Sequence, residues 1–260
     1  MRDIIQCHVS GHLKYFKNDF MKRWGFVEYT NIHEPVVFFG CALSQEIIQK
    51  HQGFKIIFPA GPSDKINWNI ISNRKNLFVV SGIDNFSAPK GILVKHLLLE
   101  TKDYSLFKPN VLGNKIYYYS GFKEWAGHAH PEFIRKIQDK IGYEIITTQH
   151  RHLHNYFDIA KLKKEYYDKV FLCLNLRNDA GMTTTRELGL MGRKTIMNTH
   201  LYKNLYKGII PWKESGEDII RIINEEAKKI GTIQPSIQSH TMTTDAWLHT
   251  SFWANEKHKK

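Results

Sequence analysis

Short runs of apolar residues alternate with stretches in which apolar residues recur every three or four positions. The runs predict nine strands, at residues 4–9, 36–40, 55–59, 77–81, 92–99, 115–120, 143–148, 171–176 and 194–198. The periodic stretches predict helices between them, at residues 44–51, 63–72, 130–141, 159–170 and 216–230. Because neighbouring parallel strands need a crossover element between them, this alternation predicts an α/β fold with parallel sheets.

A polar stretch at residues 100–114 interrupts the alternation. It contains Pro109 and Gly113, which favour a linker. We therefore predict two Rossmann-like domains, at residues 1–110 and 111–235. A tail at residues 236–260 would then pack back on the first domain. A single continuous sheet of nine strands is the alternative.

The composition indicates a folded protein that favours anionic partners. Its net charge is +12, from 37 Lys and Arg against 25 Asp and Glu, which suits nucleotides, nucleic acid, acidic glycans or a membrane surface. The charge is spread along the chain, so a diffuse solvated surface explains it equally well. No apolar run approaches the roughly 18 residues that a membrane span needs.

The first residues lack the apolar stretch of a signal peptide. The three cysteines, Cys7, Cys41 and Cys173, fall at predicted buried strands and form an odd, scattered set. Such cysteines are typical of reduced thiols in a reducing compartment. We expect a cytoplasmic protein whose contact with membranes is at most peripheral.

The segment LNLRNDAGMTTTRELGLMGRKTIMN, residues 174–198, carries the densest candidate chemistry. Ligands of open α/β sheets bind beyond the carboxyl ends of the strands. Here a loop with Arg177 and Asp179 follows a strand, and a helix is expected to begin near Thr183. The N–H groups of a helix start and a fork-shaped guanidinium both suit a diphosphate, and Glu187 is placed to accept from a ribose diol. A plain threonine cap and a local Arg177–Asp179 ion pair are the structural alternatives.

The same segment resembles the C-terminal signature of GT-B glycosyltransferases, in which two acidic residues stand eight positions apart. Asp179 takes the first place, Glu187 the second, and Gly192 follows five residues later, ahead of a strand. Two positions depart from the pattern, since Asp179 replaces a Glu and Lys194 replaces a Pro. The small size is similar to that of compact glycosyltransferases encoded by large DNA viruses.

The resemblance implies two Rossmann-like domains facing each other across a cleft. It implies a metal-independent transferase that moves a sugar from a UDP- or GDP-sugar to a glycan, glycoprotein or other hydroxyl acceptor. In such an enzyme Glu187 would bind the ribose, Asp179 the sugar hydroxyls, and Arg177 the leaving diphosphate. The loops that hold the phosphates would contain Gly181, Met182, Thr183 and Thr184, together with Ser120 and Gly121. The acid pair favours retention of the anomeric configuration.

The first domain offers two candidate catalytic residues. His12 lies in the loop after the first strand, where GT-B proteins often carry a residue near the reacting centre, so it is a candidate to act as base or to orient the acceptor. Asp64 follows the third strand and is a second candidate base or acceptor-binding residue. A plain loop histidine and a helix N-cap, respectively, are the structural alternatives.

The sequence gives little support for a metal site or for several other classes of nucleotide-binding or hydrolytic enzyme. His150, His152 and His154 have a spacing that zinc could use, but no Cys or acidic residue stands nearby. We expect no metal site there and interpret this stretch as a border of the nucleotide base. The absence of a D-x-D triplet argues against metal-dependent GT-A enzymes. The phosphate loop of NTPases, the dinucleotide G-x-G-x-x-G and the hydrolase elbow are absent too.

Two further classes of protein remain as alternatives. One is a basic Rossmann-type protein that binds nucleic acid or another polyanion, although the sequence has no aromatic-basic stacking motif to support it. The other is an inactive glycosyltransferase-like protein that serves as an assembly factor. It would bind a donor without turnover.

Overall fold

The chain forms two compact units, with the boundary between Asp103 and Tyr104. A computed structural model describes residues 5–60, 64–82, 86–96, 103–119, 131–148, 158–176, 182–197, 207–211 and 216–238. Each unit contains one parallel β-sheet with helices packed against it, which makes the chain an α/β protein of Rossmann-like class. The prediction of two sheets is therefore confirmed, and the alternative of one nine-stranded sheet is wrong.

The first unit is built on a six-stranded sheet. Its strands are β1 (Gln6–Val9), β2 (Val27–Glu28), β3 (Val36–Phe39), β4 (Lys55–Phe58), β5 (Leu77–Ser81) and β6 (Leu93–His96). They lie in the order β2-β1-β3-β4-β5-β6 and every neighbouring pair is parallel. The helical elements are a 3₁₀ helix (Gly11–Phe16), α1 (Lys17–Trp24) and α2 (Gln45–Lys50).

Both faces of the central strands of this first sheet are buried. On one face, Phe39 of β3 stacks on Phe20 of α1, with 4.4 Å between the ring centroids. On the other face, Phe38 packs in a cluster with Ile48 of α2. Since successive strand residues point to opposite faces, a strand covered on both sides must be apolar throughout, as the run VVFF of β3 is.

The second unit is built on a five-stranded sheet. Its strands are β7 (Lys115–Tyr118), β8 (Ile145–Ile146), β9 (Val170–Asn175), β10 (Lys194–Met197) and β11 (Ile209–Pro211). They lie in the order β11-β10-β9-β7-β8, again all parallel. The helices are α3 (Pro131–Gln138), α4 (Ile159–Glu165), a 3₁₀ helix (Tyr167–Lys169), α5 (Met182–Leu190) and α6 (Gly216–Ala227).

Helices cover both faces of the second sheet as well. Ile116 of β7 packs with residues of α3 and α6, whereas its neighbour Tyr117 packs with residues of α4 and α5. This three-layer arrangement places the start of α5 next to the carboxyl end of β9, which precedes it in the chain. The structure thus confirms a helix that begins close to Thr183.

Two predicted helices differ from the structure. The helix predicted at residues 159–170 ends at Glu165, and a 3₁₀ helix (Tyr167–Lys169) then leads into β9 at Val170. The helix predicted at residues 63–72 is wrong for the described residues 64–72, which form irregular structure with one turn at residues 68–70. There the Asn67 side chain accepts from the N–H of Asn69 at 3.0 Å, a local bond that competes with helix formation.

The patterns also miss some elements and shorten or lengthen others. The 3₁₀ helix after β1, helix α1 and the short edge strands β2 and β11 are not predicted. The strand predicted at residues 143–148 is reduced to the two residues of β8. Within the described part of the chain, no helix is both long and apolar enough to cross a membrane.

The predicted tail at residues 236–260 is described only as far as residue 238. Its first residues lie against the second unit. The Ile237 N–H donates to the Gly189 carbonyl at 2.8 Å, and Gln238 Nε2 donates to the Lys207 carbonyl at 2.7 Å. The rest of the tail lies outside the described residues, so its packing on the first unit stays a prediction.

Candidate functional site

Each sheet contains a point at which the strand order reverses. In the first unit β1 lies between β2 and β3, and in the second β7 lies between β8 and β9. The crossovers that leave the two strands on either side of the reversal run in opposite directions, and open α/β sheets bind ligands beyond the carboxyl ends of these two strands. In the second unit this position lies beyond β7 and β9, next to the start of α5, where the sequence predicts phosphate-binding residues.

The first turn of α5 carries three threonines with different exposure. Thr183 is half-buried, whereas Thr184 and Thr185 are buried. The Thr185 hydroxyl lies 3.8 Å from the sulfur of Met197 in β10, a weak contact that turns it towards the sheet. Of the three hydroxyls, that of Thr183 is therefore the best placed to reach a ligand.

Glu187 is fully buried on the second turn of α5. Its Oε2 accepts a hydrogen bond of 2.7 Å from the hydroxyl of Tyr167, whose oxygen also lies 3.4 Å from Thr184 Oγ1. Tyr167 belongs to the 3₁₀ helix that leads into β9. The structure thus brings Thr184 and Glu187 together through a residue that the sequence does not single out. Twenty positions separate Tyr167 from Glu187, and no local pattern signals their contact.

The residues that follow α5 in the family-like signature have structural roles. Gly192 has a φ of +84°, and a Cβ there would lie 2.4 Å from the carbonyl oxygen of Gln234. Arg193 is fully buried and donates to three backbone carbonyls, those of Val170 at 3.1 Å, Met191 at 2.5 Å and Val111 at 3.0 Å. Burial lowers the pKa of Arg193 to about 10, opposed by the charge of Asp168.

In the first unit, Asp64 ties two loops together at the carboxyl edge of the sheet. Its buried carboxylate accepts from the backbone N–H groups of Cys41 at 3.0 Å, Ala42 at 2.6 Å and Ala60 at 2.7 Å. These residues follow β3 and β4. Both carboxylate oxygens thus accept from backbone amides, which gives Asp64 a structural role. Its catalytic role stays a prediction.

A second polar cluster of the first unit was not predicted from the sequence. His8 Nε2 lies 3.0 Å from Ser44 Oγ, and the hydroxyl of Tyr29 lies 3.3 Å from Nδ1 of the buried His51. The buried Lys55 ammonium donates to the His51 carbonyl at 2.8 Å. Burial, reinforced by the charge of Lys55, lowers the pKa of His51 to about 4. Burial also lowers the pKa of Lys55 to about 8.

Most of the other predicted site residues lie outside the described part of the chain. His12 belongs to the 3₁₀ helix after β1 and Met182 begins α5, but the side chain of neither residue is described. Residues outside the described ranges are Ser120, Gly121, His150, His152, His154, Arg177, Asp179 and Gly181. Their roles stay predictions.

Comparisons with known proteins do not identify a family for this chain. No family model matches the chain, and neither the curated proteins nor the solved structures contain a significant match. Among the described residues, no group of three or more His, Cys, Asp or Glu is placed to hold a metal ion.

Proposed function

We propose that this chain is a glycosyltransferase of GT-B type that binds the diphosphate of a nucleotide sugar in its second unit. The observation that carries the proposal is the reversal of strand order between β7 and β9, with α5 beginning at the carboxyl edge of β9. Open sheets bind ligands at this position, and the N–H groups and dipole of a helix start favour phosphate. The net charge of +12 suits the same ligand.

The proposed reaction breaks the bond between the anomeric carbon and the diphosphate oxygen and forms a bond from that carbon to an acceptor hydroxyl. Negative charge then develops on the departing nucleoside diphosphate. Arg177 and the amides at the start of α5 would stabilise this charge, the role that a bound cation plays in other transferases. The two units would face each other across a cleft that excludes water from the donor.

The acceptor hydroxyl must also lose a proton during the transfer. The sequence offers His12 and Asp64 as bases. Asp64 accepts from three backbone amides, which occupy both of its carboxylate oxygens. His12 lies in the 3₁₀ helix that follows the carboxyl end of β1, at the reversal point of the first sheet, and is therefore the base that we favour.

Thermal unfolding in the presence of UDP or GDP, with a chelator in place of metal, tests the proposal. A ligand at a hundred times its Kd stabilises the folded state by about 2.7 kcal/mol, enough to raise the Tm by several degrees. Arg177→Ala should remove this shift. The control Arg221→Ala changes an exposed arginine that pairs with Glu225 on α6 and should retain the shift. Wild-type protein that responds to neither nucleotide, or an Arg177→Ala variant that responds fully, would contradict the proposal.

A further inference from the structure

Three buried polar side chains connect the segment ahead of β9 with the first two turns of α5. The hydroxyl of Tyr167 donates to Glu187 Oε2 at 2.7 Å and lies 3.4 Å from Thr184 Oγ1. Tyr167 and Glu187 are 0% exposed and Thr184 is 1% exposed. A hydrogen bond to a carboxylate in such surroundings is strong, because water cannot replace the phenol as a donor.

The contact with Tyr167 lies on the side of Glu187 that faces away from the expected ligand position at the start of α5. Glu187 stands five residues after Met182, which corresponds to about 7.5 Å along the helix axis. Because β9 and β10 are parallel, α5 runs back from the carboxyl edge towards the amino end of β9, where Tyr167 lies. The bond to Tyr167 therefore holds the carboxylate inside the unit, away from the edge at which ligands bind.

The same part of α5 is also held by other elements. The guanidinium of the buried Arg186 lies 4.2 Å from the ring centroid of Tyr104, a cation–π contact. Thr184 and Glu187 are three residues apart and share one face of the helix, so the phenol of Tyr167 fixes the rotation of that face. Amide donors at a helix start bind an anion well only when their direction is fixed in advance.

We propose that Tyr167 and Glu187 are positioning residues, which hold the first turn of α5 in the orientation that binds the diphosphate. Glu187 does not touch the ribose. This inference rests on the proposed function, and it replaces the ribose contact that the resemblance to GT-B enzymes implies for Glu187.

Nucleotides with and without ribose hydroxyls distinguish a positioning role of Glu187 from direct binding to the ribose. The Kd values of UDP and GDP are measured by calorimetry beside those of their 2′,3′-dideoxy counterparts, at a temperature where every variant is folded. Tyr167→Phe and Glu187→Gln should each raise the Kd by about tenfold, because misaligned amides would lose binding free energy equal to about one hydrogen bond. A positioning residue acts on the diphosphate, so the factor should be the same with and without the ribose hydroxyls.

A matched control tests whether a loss of stability by itself weakens nucleotide binding. Ile223→Val shortens a fully buried side chain of α6, which packs on the opposite face of the sheet, and should leave both affinities unchanged. If Ile223→Val weakens binding as much as Tyr167→Phe does, the positioning role is wrong.

The remaining outcomes are also decisive. Loss of affinity confined to the ligand with ribose hydroxyls would show that Glu187 contacts the ribose, and unchanged affinity in both variants would show that the network is only structural. Either result overturns this inference and leaves the proposed function intact. Wild-type protein that binds neither nucleotide would overturn the proposed function itself.

Discussion

The two units share a strand order around their central strands but use a buried carboxylate differently. In the first unit Asp64 accepts from backbone amides of the loops after β3 and β4. In the second unit Glu187 of α5 accepts from the side-chain hydroxyl of Tyr167. A protein carboxylate thus already occupies amide donors at the carboxyl edge of the first sheet, and its charge would repel a diphosphate there. The comparison therefore favours the second unit as the one that binds an anion.

Removing the carboxylate of the first unit should have the largest effect on stability. Asp64→Ala removes the acceptor of the buried Cys41 N–H and of the partly buried bonds to the Ala42 and Ala60 N–H groups. At about 1–2 kcal/mol each, we expect a loss of about 4 kcal/mol in the free energy of unfolding in urea. The control Asp158→Ala removes an exposed N-cap that accepts from Lys161 alone and should cost about 1 kcal/mol. Equal losses would contradict the structural role of Asp64.

Substituting two glycines that follow helices should distinguish the cost of backbone strain from the cost of a steric clash. Gly25 after α1 and Gly192 after α5 both have positive φ, +67° and +84°, but only a Cβ at Gly192 would meet another backbone, at Gln234. Gly25→Ala should destabilise by about 1 kcal/mol through strain alone. Gly192→Ala should lose about 2 kcal/mol more, because the Gln234 segment must move. Urea unfolding of the two variants measures the difference, and equal losses would rule out the close approach.

Acid should destabilise the first unit before the second. The pKa of His51 is about 4 when folded and about 6.5 when unfolded, so its neutral form contributes stability that is complete above pH 6.5 and is lost as the pH falls towards 4. The full effect is up to about 3 kcal/mol. The lowered pKa of His8 acts in the same direction, and the described part of the second unit contains no histidine.

Hydrogen exchange of strand peptides at pH 7 and pH 5 checks this difference between the units. Protection of β3 should fall more than protection of β9, and His51→Gln should reduce the change in β3. Equal loss of protection in both strands would place the acid-sensitive groups elsewhere.

The hydroxyls of two tyrosines in the second unit should each contribute a small amount to stability. Tyr167→Phe removes a hydrogen bond to a carboxylate and should cost about 2 kcal/mol in urea unfolding. Tyr117→Phe removes a bond of 3.0 Å between the hydroxyls of Tyr117 and Thr148, and should cost about 1 kcal/mol. A Tyr167→Phe variant as stable as the wild type would show that Glu187 does not depend on the phenol.

The sequence predicts the sheets well because of how they are buried. Strands such as β3 and β9 have helices or loops on both faces, so they appear as unbroken apolar runs. Residues 64–72 also contain regularly spaced apolar residues, but the side-chain bond of Asn67 to the N–H of Asn69 produces a turn there. Edge strands such as β2 escape prediction because both of its residues are exposed.

The candidate site is predictable in position but not in its contacts. The threonine cluster correctly indicates where α5 begins, because helix starts follow local chemistry. The partners of Glu187 and Asp64 come from distant parts of the chain, and only the folded sheets bring them together. The loop residues Arg177 and Asp179 stay predictions.

A crystal of the protein soaked in a UDP- or GDP-sugar shows where the diphosphate binds. We expect a diphosphate beyond the carboxyl ends of β7 and β9, bonded to the amides at the start of α5 and to Arg177. A diphosphate bound instead beside Asp64 at the edge of the first sheet, or no bound nucleotide at a saturating concentration, would contradict it.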